Sequence, residues 1–342
     1  KMRSRLPLPI SATCLVLPIM ALAGCEPVTE SALRLDDSSA QASHGPAAPA
    51  QLVTGLEGAS GSAIGPGGAL FVTEGAAGRV SRVDPRTGDV TTFASGLPPS
   101  IIGIGGAIDV AFYGSTAYVL VTLVDEPDLF PTGVINGIYR VDGPSSLTII
   151  ADIGAYNLAH PPTGFDFFVK TGVLYSIEAY RGGFLVTDGH LNRVLYVTRD
   201  GEITQFMRFN NIVPTGLDVR GNTVYMAEAG PVPHLPENGK VVSFGPGSTA
   251  VTEMASGAPL LVDVEFGRGR ALYALAQGTF GGGDPGSPAL PNTGALVEVN
   301  GDGGLTVIED GLNLPTSFEI IGNTAYVVTL TGEIWTMDTE GD

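Results

Sequence analysis

Five carboxylates recur at what reads as one position of a repeated apolar segment. Aligned on the tight turn that follows each segment, the sequence sets Ala63, Asp109, Glu178, Asp218, Asp263 and Glu319 level with one another. Acids brought that close would repel, and each would hold its proton to higher pH unless a cation or hydrogen-bond donors compensated. Two arrangements answer that repulsion. A hard, oxygen-only ligand set suits Ca2+ better than Zn2+. Alternatively, each acid accepts backbone N–H groups from a neighbouring segment, which requires neither an ion nor a reaction. A second group of residues, Phe130, Tyr156, His160, His234 and Phe280, lies in long insertions. Its mix of aromatic and imidazole side chains suits a ligand-binding rim. The sequence has no G-x-S-x-G elbow in a strand–turn–helix setting, no H-E-x-x-H pair and no phosphate loop. The run Gly281-Gly282-Gly283-Asp284 sits in a loop with no helix after it, so it is not a phosphate cradle.

The elements that must position these residues repeat along the chain. One pattern recurs as Gly78–Val83, Gly137–Val141, Asn192–Val197, Gly239–Phe244, Gly294–Val299 and Gly332–Met337. Five intervals separate Val80 from Ile334, a mean of about 51 residues, within the range of propeller blades. Each copy follows a second apolar strand, such as Ala69–Glu74 or Phe184–Asp188. A glycine turn and an innermost strand come before that. Five copies also have a fourth strand; the last stops at Asp342 without one, and Gln51–Gly55 can supply it. Pairing that N-terminal strand with the last three closes the ring and leaves no open edge. The expected fold is an all-β, six-bladed propeller of four-stranded blades.

In such a blade the connection from second to third strand shares a face with the link into the next blade. The longest insertions all fall there: Val124–Asn136, Ala229–Asn238 and Gln277–Thr293, with the long link 151–172 beside them. The opposite face keeps short turns. Function is expected on the face with the long loops.

Composition narrows the rest. The 342 residues include 17 Lys+Arg and 35 Asp+Glu, a formal charge of −18, so binding to nucleic acid by bulk electrostatics is excluded. Hydrophobic residues at 44% rule out disorder, while 48 Gly and 25 Pro argue against a helical bundle. Residues 1–25 begin with Lys1, Arg3 and Arg5, continue through an apolar stretch broken by three prolines, and end in Leu22-Ala23-Gly24-Cys25. That ending resembles the lipobox of bacterial lipoproteins, which implies cleavage before Cys25 and a lipid on its sulfur. Loss of residues 1–24 would remove three positive charges and leave −21. Cys14 would leave with the signal, so no disulfide and no cysteine-based site is expected. The domain reading is a signal at 1–24, an Ala/Ser/Pro-rich tether at 25–50 and a propeller at 51–342.

With the blades aligned, the chain resembles the ScyD/ScyE family of secreted propellers. The resemblance is carried by Gly61–Val72, Phe184–Val197, Pro214–Glu228 with Pro231–Asn238, and Leu261–Ala276. It spans the body, and more distantly the chain resembles secreted NHL and gluconolactonase propellers. One departure is Gly67, where an Asp often follows the proline of the first turn. The resemblance implies fold more than chemistry. The leading expectation is an exported monomer, anchored by lipid at the periplasmic, outer-membrane or cell-surface side. It would bind a small molecule, glycan or protein through its loop-rich face. The alternative is a Ca2+-dependent lactonase or other hydrolase that uses the carboxylates, as in the central calcium site of lactonase-type propellers.

Overall fold

A computed structural model describes residues 48–164 and 167–340. The signal, Cys14, Cys25, His44 and most of the tether lie outside the described residues. The architecture belongs to the unit His44–Asp342. It is a six-bladed β-propeller, each blade a four-stranded antiparallel sheet. Among the described residues, no helix is long and apolar enough to cross a membrane.

The strand sequences follow from their place in a blade. Second strands are covered on both faces by neighbouring blades, so they read as continuous apolar runs. Leu70–Glu74, Gly183–Asp188 and Leu272–Ala276 are buried at every position. Outermost strands meet solvent on one side and turn polar, as in Val90–Ser95 and Ser146–Asp152. The core is accordingly a ring of wedges between blades. Phe71, Phe112 and Val119 pack between blades 1 and 2. Tyr118, Phe184 and Leu195 pack between blades 2 and 3, with the Tyr118 and Phe184 rings 4.5 Å apart.

The sixth blade closes as the sequence predicts. The strand Ala50–Val53 pairs antiparallel with Ile334–Asp338, placing Gln51 opposite Trp335 and Val53 opposite Ile334. The link between blades 2 and 3 contains the helix Ile153–Ala159, whose N-cap Asp152 accepts from the Ala155 amide.

Every innermost strand carries a bulge at the same height. The ladder slips between Ala59 and Ser62, Ala107 and Asp109, and Leu174 and Ile177. It slips again between Pro214 and Leu217, Leu261 and Asp263, and Pro315 and Ser317. An extra residue on one strand bends it and re-aims its side chains. Here it does so six times around the central axis, at the end of the strands nearest the long loops.

Candidate functional site

Below the bulges, second-strand residues fix the height of each inner-strand residue. Phe71, Tyr118, Leu185, Tyr225, Tyr273 and Tyr326 stand opposite Ala63, Ala111, Glu178, Asp218, Glu265 and Glu319. The carboxylates therefore form two levels, not one. Glu178, Asp218, Glu265 and Glu319 share the lower level, on blades 3 to 6. Asp109 and Asp263 stand two residues nearer the loops, level with Gly61, Ser176, Gly216 and Ser317. Alignment on the turn alone misses this, and it misses Glu265.

The upper level is built by close approach between blades. A Cβ at Gly61 would fall 2.3 Å from Asp109 Oδ1, and one at Gly216 would fall 2.1 Å from Asp263 Oδ1. Only glycine admits the neighbouring aspartate. Each aspartate then accepts from the blade beyond. Asp109 takes the Val110 and Ile177 amides, both at 2.8 Å. Asp263 takes Val264 and Phe318, both at 3.0 Å. On the lower level Asp218 takes Val219 at 2.5 Å and Phe266 at 3.0 Å. Hydroxyls complete the stitching: Thr215 donates to the Leu261 carbonyl at 2.9 Å and Thr316 to Ser60 at 2.8 Å.

These acids hold their protons unusually tightly. Burial pushes Asp109 up to about 7 even against its amide donors. Burial, then repulsion from Asp218 and Asp109, pushes Glu178 up to about 8. Asp218 is raised chiefly by burial. Burial first, then mutual repulsion, raises Glu265 and Glu319 well above the ordinary carboxylate range. Burial likewise raises Asp263, opposed by the Phe318 amide.

The residues do not fit a calcium ion. Asp109, Asp218 and Asp263 have both oxygens committed to amides. Among the described residues, no three carboxylate, imidazole or thiol groups converge as metal ligands.

Above and around this ring opens a cavity of about 800 Å3. Asp109, Glu178, Asp263, Glu265 and Glu319 reach it, whereas Asp218 does not. Tyr175 crosses its throat, with Oη donating to the Thr316 carbonyl of the opposite blade at 3.4 Å. The mouth is apolar: Ile102, Ile104, Leu129, Phe168 and Val232 line it while remaining 41–55% exposed. They come from the 1–2 link, the blade 2 insertion, the 2–3 link and the blade 4 insertion. Side chains in such loops have no periodicity, and only their apolar type within polar surroundings could have marked them.

The five loop residues singled out from the sequence divide. Phe130 and His234 line the cavity. Phe280 stands against His234, ring centroids 5.4 Å apart, and is not on the wall. Tyr156, on the helix Ile153–Ala159, and His160, which caps its C-terminal end, stack on each other at 4.3 Å away from the cavity. Buried Arg193 holds them there, donating to the His160 carbonyl at 2.9 Å and to Asn157 Oδ1 at 2.6 Å. His190, which the sequence reading left without a role, is on the wall between Phe167 and Phe168. Its Nε2 accepts the Val169 amide at 3.2 Å, and burial lowers its affinity for a second proton.

A scan against protein-family models gives no match, and a search of curated proteins gives none either. Solved structures do resemble the fold. A gluconolactonase from Xanthomonas campestris aligns over 85% of this chain and 89% of its own, at 12% identity and a TM-score of 0.59. Virginiamycin B lyase from Staphylococcus aureus aligns over 85% and 98%, at 14% identity and a TM-score of 0.51. A PQQ-bound aldose sugar dehydrogenase from Streptomyces coelicolor aligns over 84% and 96%, at 15% identity and a TM-score of 0.51. At these identities the likeness is one of fold alone, that of the six-bladed β-propeller.

Proposed function

We propose that this protein is an exported, lipid-anchored propeller that binds a small, largely apolar molecule in the funnel on its loop-bearing face. The observation that carries the reading is the apolar rim continuous with the cavity, formed by Ile102, Ile104, Leu129, Phe168 and Val232. Such a patch on a polar surface marks a place that something covers. A volume of about 800 Å3 suits one small organic ligand. A protein partner would call for a broad flat patch, whereas this apolar surface descends into the molecule. The lipobox-like Leu22-Ala23-Gly24-Cys25 and the likeness to ScyD/ScyE sequences support export, with Cys25 as the lipidated residue at the periplasmic or cell-surface side. Binding is favoured over metal-dependent hydrolysis because the aspartates are already occupied by amides.

Titration with the neutral dye Nile red tests this. Saturable, one-to-one fluorescence enhancement is expected, weakened at least tenfold in a Leu129→Asp, Phe168→Asp double variant that melts like the parent. Absence of saturable binding, or equal binding by the variant, would sink the reading.

A further inference from the structure

We propose that the funnel takes an amphipathic organic cation, its apolar body against the rim and its ammonium group among the carboxylates below. This rests on the small-molecule reading above and adds the polarity and charge of the ligand.

The wall has a one-sided polarity. Among the described residues five carboxylates reach the cavity, and no lysine or arginine lines it. Asp109 and Asp263 are tied to amides, but the glutamates are poorly provided for. Among the described residues Glu319 has repulsive acidic neighbours, Asp263 first, and no hydrogen-bond donor. Glu265 lies within hydrogen-bonding reach of Asp218, itself an acid. Glu178 has the amide of Ala179 beside it and three acids facing it.

His234 adds an independent pointer. It is 7% exposed and lines the cavity, and its Nδ1 sits 3.2 Å from the Ala229 carbonyl. A carbonyl only accepts, so in the neutral ring Nδ1 carries the proton and Nε2 is left as an acceptor without a partner among the described residues. The glutamates and this nitrogen together leave acceptor capacity unused. A ligand that fits must bring N–H or O–H donors, and a positive charge relieves the repulsion that a neutral group leaves standing. An anion meets the same acids with the wrong sign.

The groups facing this level from all blades are Asp109, Asp218, Asp263, Glu178, Glu265 and Glu319, with Tyr175 above them and His190 and His234 nearer the mouth. Arg220 acts on Asp218 from outside the cavity. At neutral pH part of this set is protonated, so a bound ammonium displaces a proton.

Calorimetry on the full chain at pH 7 with octylamine, octanol and octanoate, in two buffers of different ionisation heat, reads this directly. Octylamine is expected to bind at least tenfold tighter than octanol, with a buffer-dependent heat showing proton release, and octanoate not at all. Glu319→Gln is expected to bring octylamine down towards octanol and to leave octanol unchanged. Mere adsorption to an acidic surface would neither release a proton nor respond to Glu319→Gln, so tight octylamine binding lacking both signatures overturns the proposal. Octanol bound as tightly as octylamine, with buffer-independent heat, overturns this inference and leaves the small-molecule reading standing. No binding of Nile red, octanol or octylamine overturns both.

Discussion

The carboxylates of the channel set a pH dependence for the whole fold. Asp109 and Glu178 titrate near 7 and 8 in the folded protein, far above the roughly 4 of an unfolded chain. A raised carboxylate pKa favours the native state below the unfolded value, and that advantage is lost as pH climbs through the folded value. The melting temperature is therefore expected to fall between about pH 5 and pH 8, by several degrees, in a calorimetric scan. Glu319→Gln should raise it at pH 8 and flatten the profile. A melting temperature that climbs from pH 5 to pH 8 would contradict this. The acids themselves are legible in the sequence, but their heights are not. Asp109 and Asp263 rank with the glutamates in an alignment on the turn, but the ladder sets them opposite Leu120 and Leu275, two residues nearer the loops. The better ruler was also in the sequence: the aromatic of the second strand at Phe71, Tyr118, Tyr225, Tyr273 and Tyr326 marks the level directly.

The hairpin joining second and third strands ends in a cross-strand acid–base pair on three blades. Glu74 stands opposite Arg79, Asp188 opposite Arg193 and Glu228 opposite Lys240. Glu74 is fully buried and accepts from Arg79 Nη2 at 2.6 Å, Ser81 Oγ at 2.5 Å and the Glu57 amide at 2.6 Å. Those donors hold its carboxyl below the usual range despite burial. Blades 2 and 5, which carry the longest insertions, have no such pair at this point, with Val121 opposite Gly137 and Ala276 opposite Ala295. Glu74→Ala strands a serine, an amide and a guanidinium at once. Because Arg79 remains partly exposed, its expected cost is roughly 2 kcal/mol in urea unfolding, against a few tenths for Glu202→Ala on the surface. The strands were readable from their apolar runs, since burial on both faces leaves no alternation to misjudge. The loops were not, because their conformation depends on what they pack against. Tyr156 and His160 look like rim residues until Arg193, nearly forty positions away, turns them aside.

At the scale of the molecule, the ring is closed by a short strand from one end of the chain against the other. Removing residues before Glu57 would delete Ala50–Val53 and uncover the edge Ile334–Asp338. Such an edge invites pairing with another copy. A chain beginning at Glu57 is expected to melt lower and to elute as aggregate on size exclusion. Trp335, the sole tryptophan and the partner of Gln51, reports the loss by a changed emission maximum. An unchanged monomer with unchanged emission would show that closure does not depend on this strand. The closure was anticipated because a sixth blade of three strands leaves an edge open to pairing with another chain.

Around the upper level the residues run Gly61, Asp109, Ser176, then Gly216, Asp263, Ser317. A half-turn about the axis would nearly superimpose one trio on the other, and a guest in such a site would have two equivalent poses. Tyr175 breaks the equivalence, because its counterpart across the throat is Thr316. The lower-level carboxylates break it again, standing on blades 3 to 6 while blades 1 and 2 present the bare Ala63 and Ala111. A guest would therefore meet a chamber without half-turn symmetry, aromatic on one side and acidic off-centre, so its two poses would no longer be equivalent and one would be preferred.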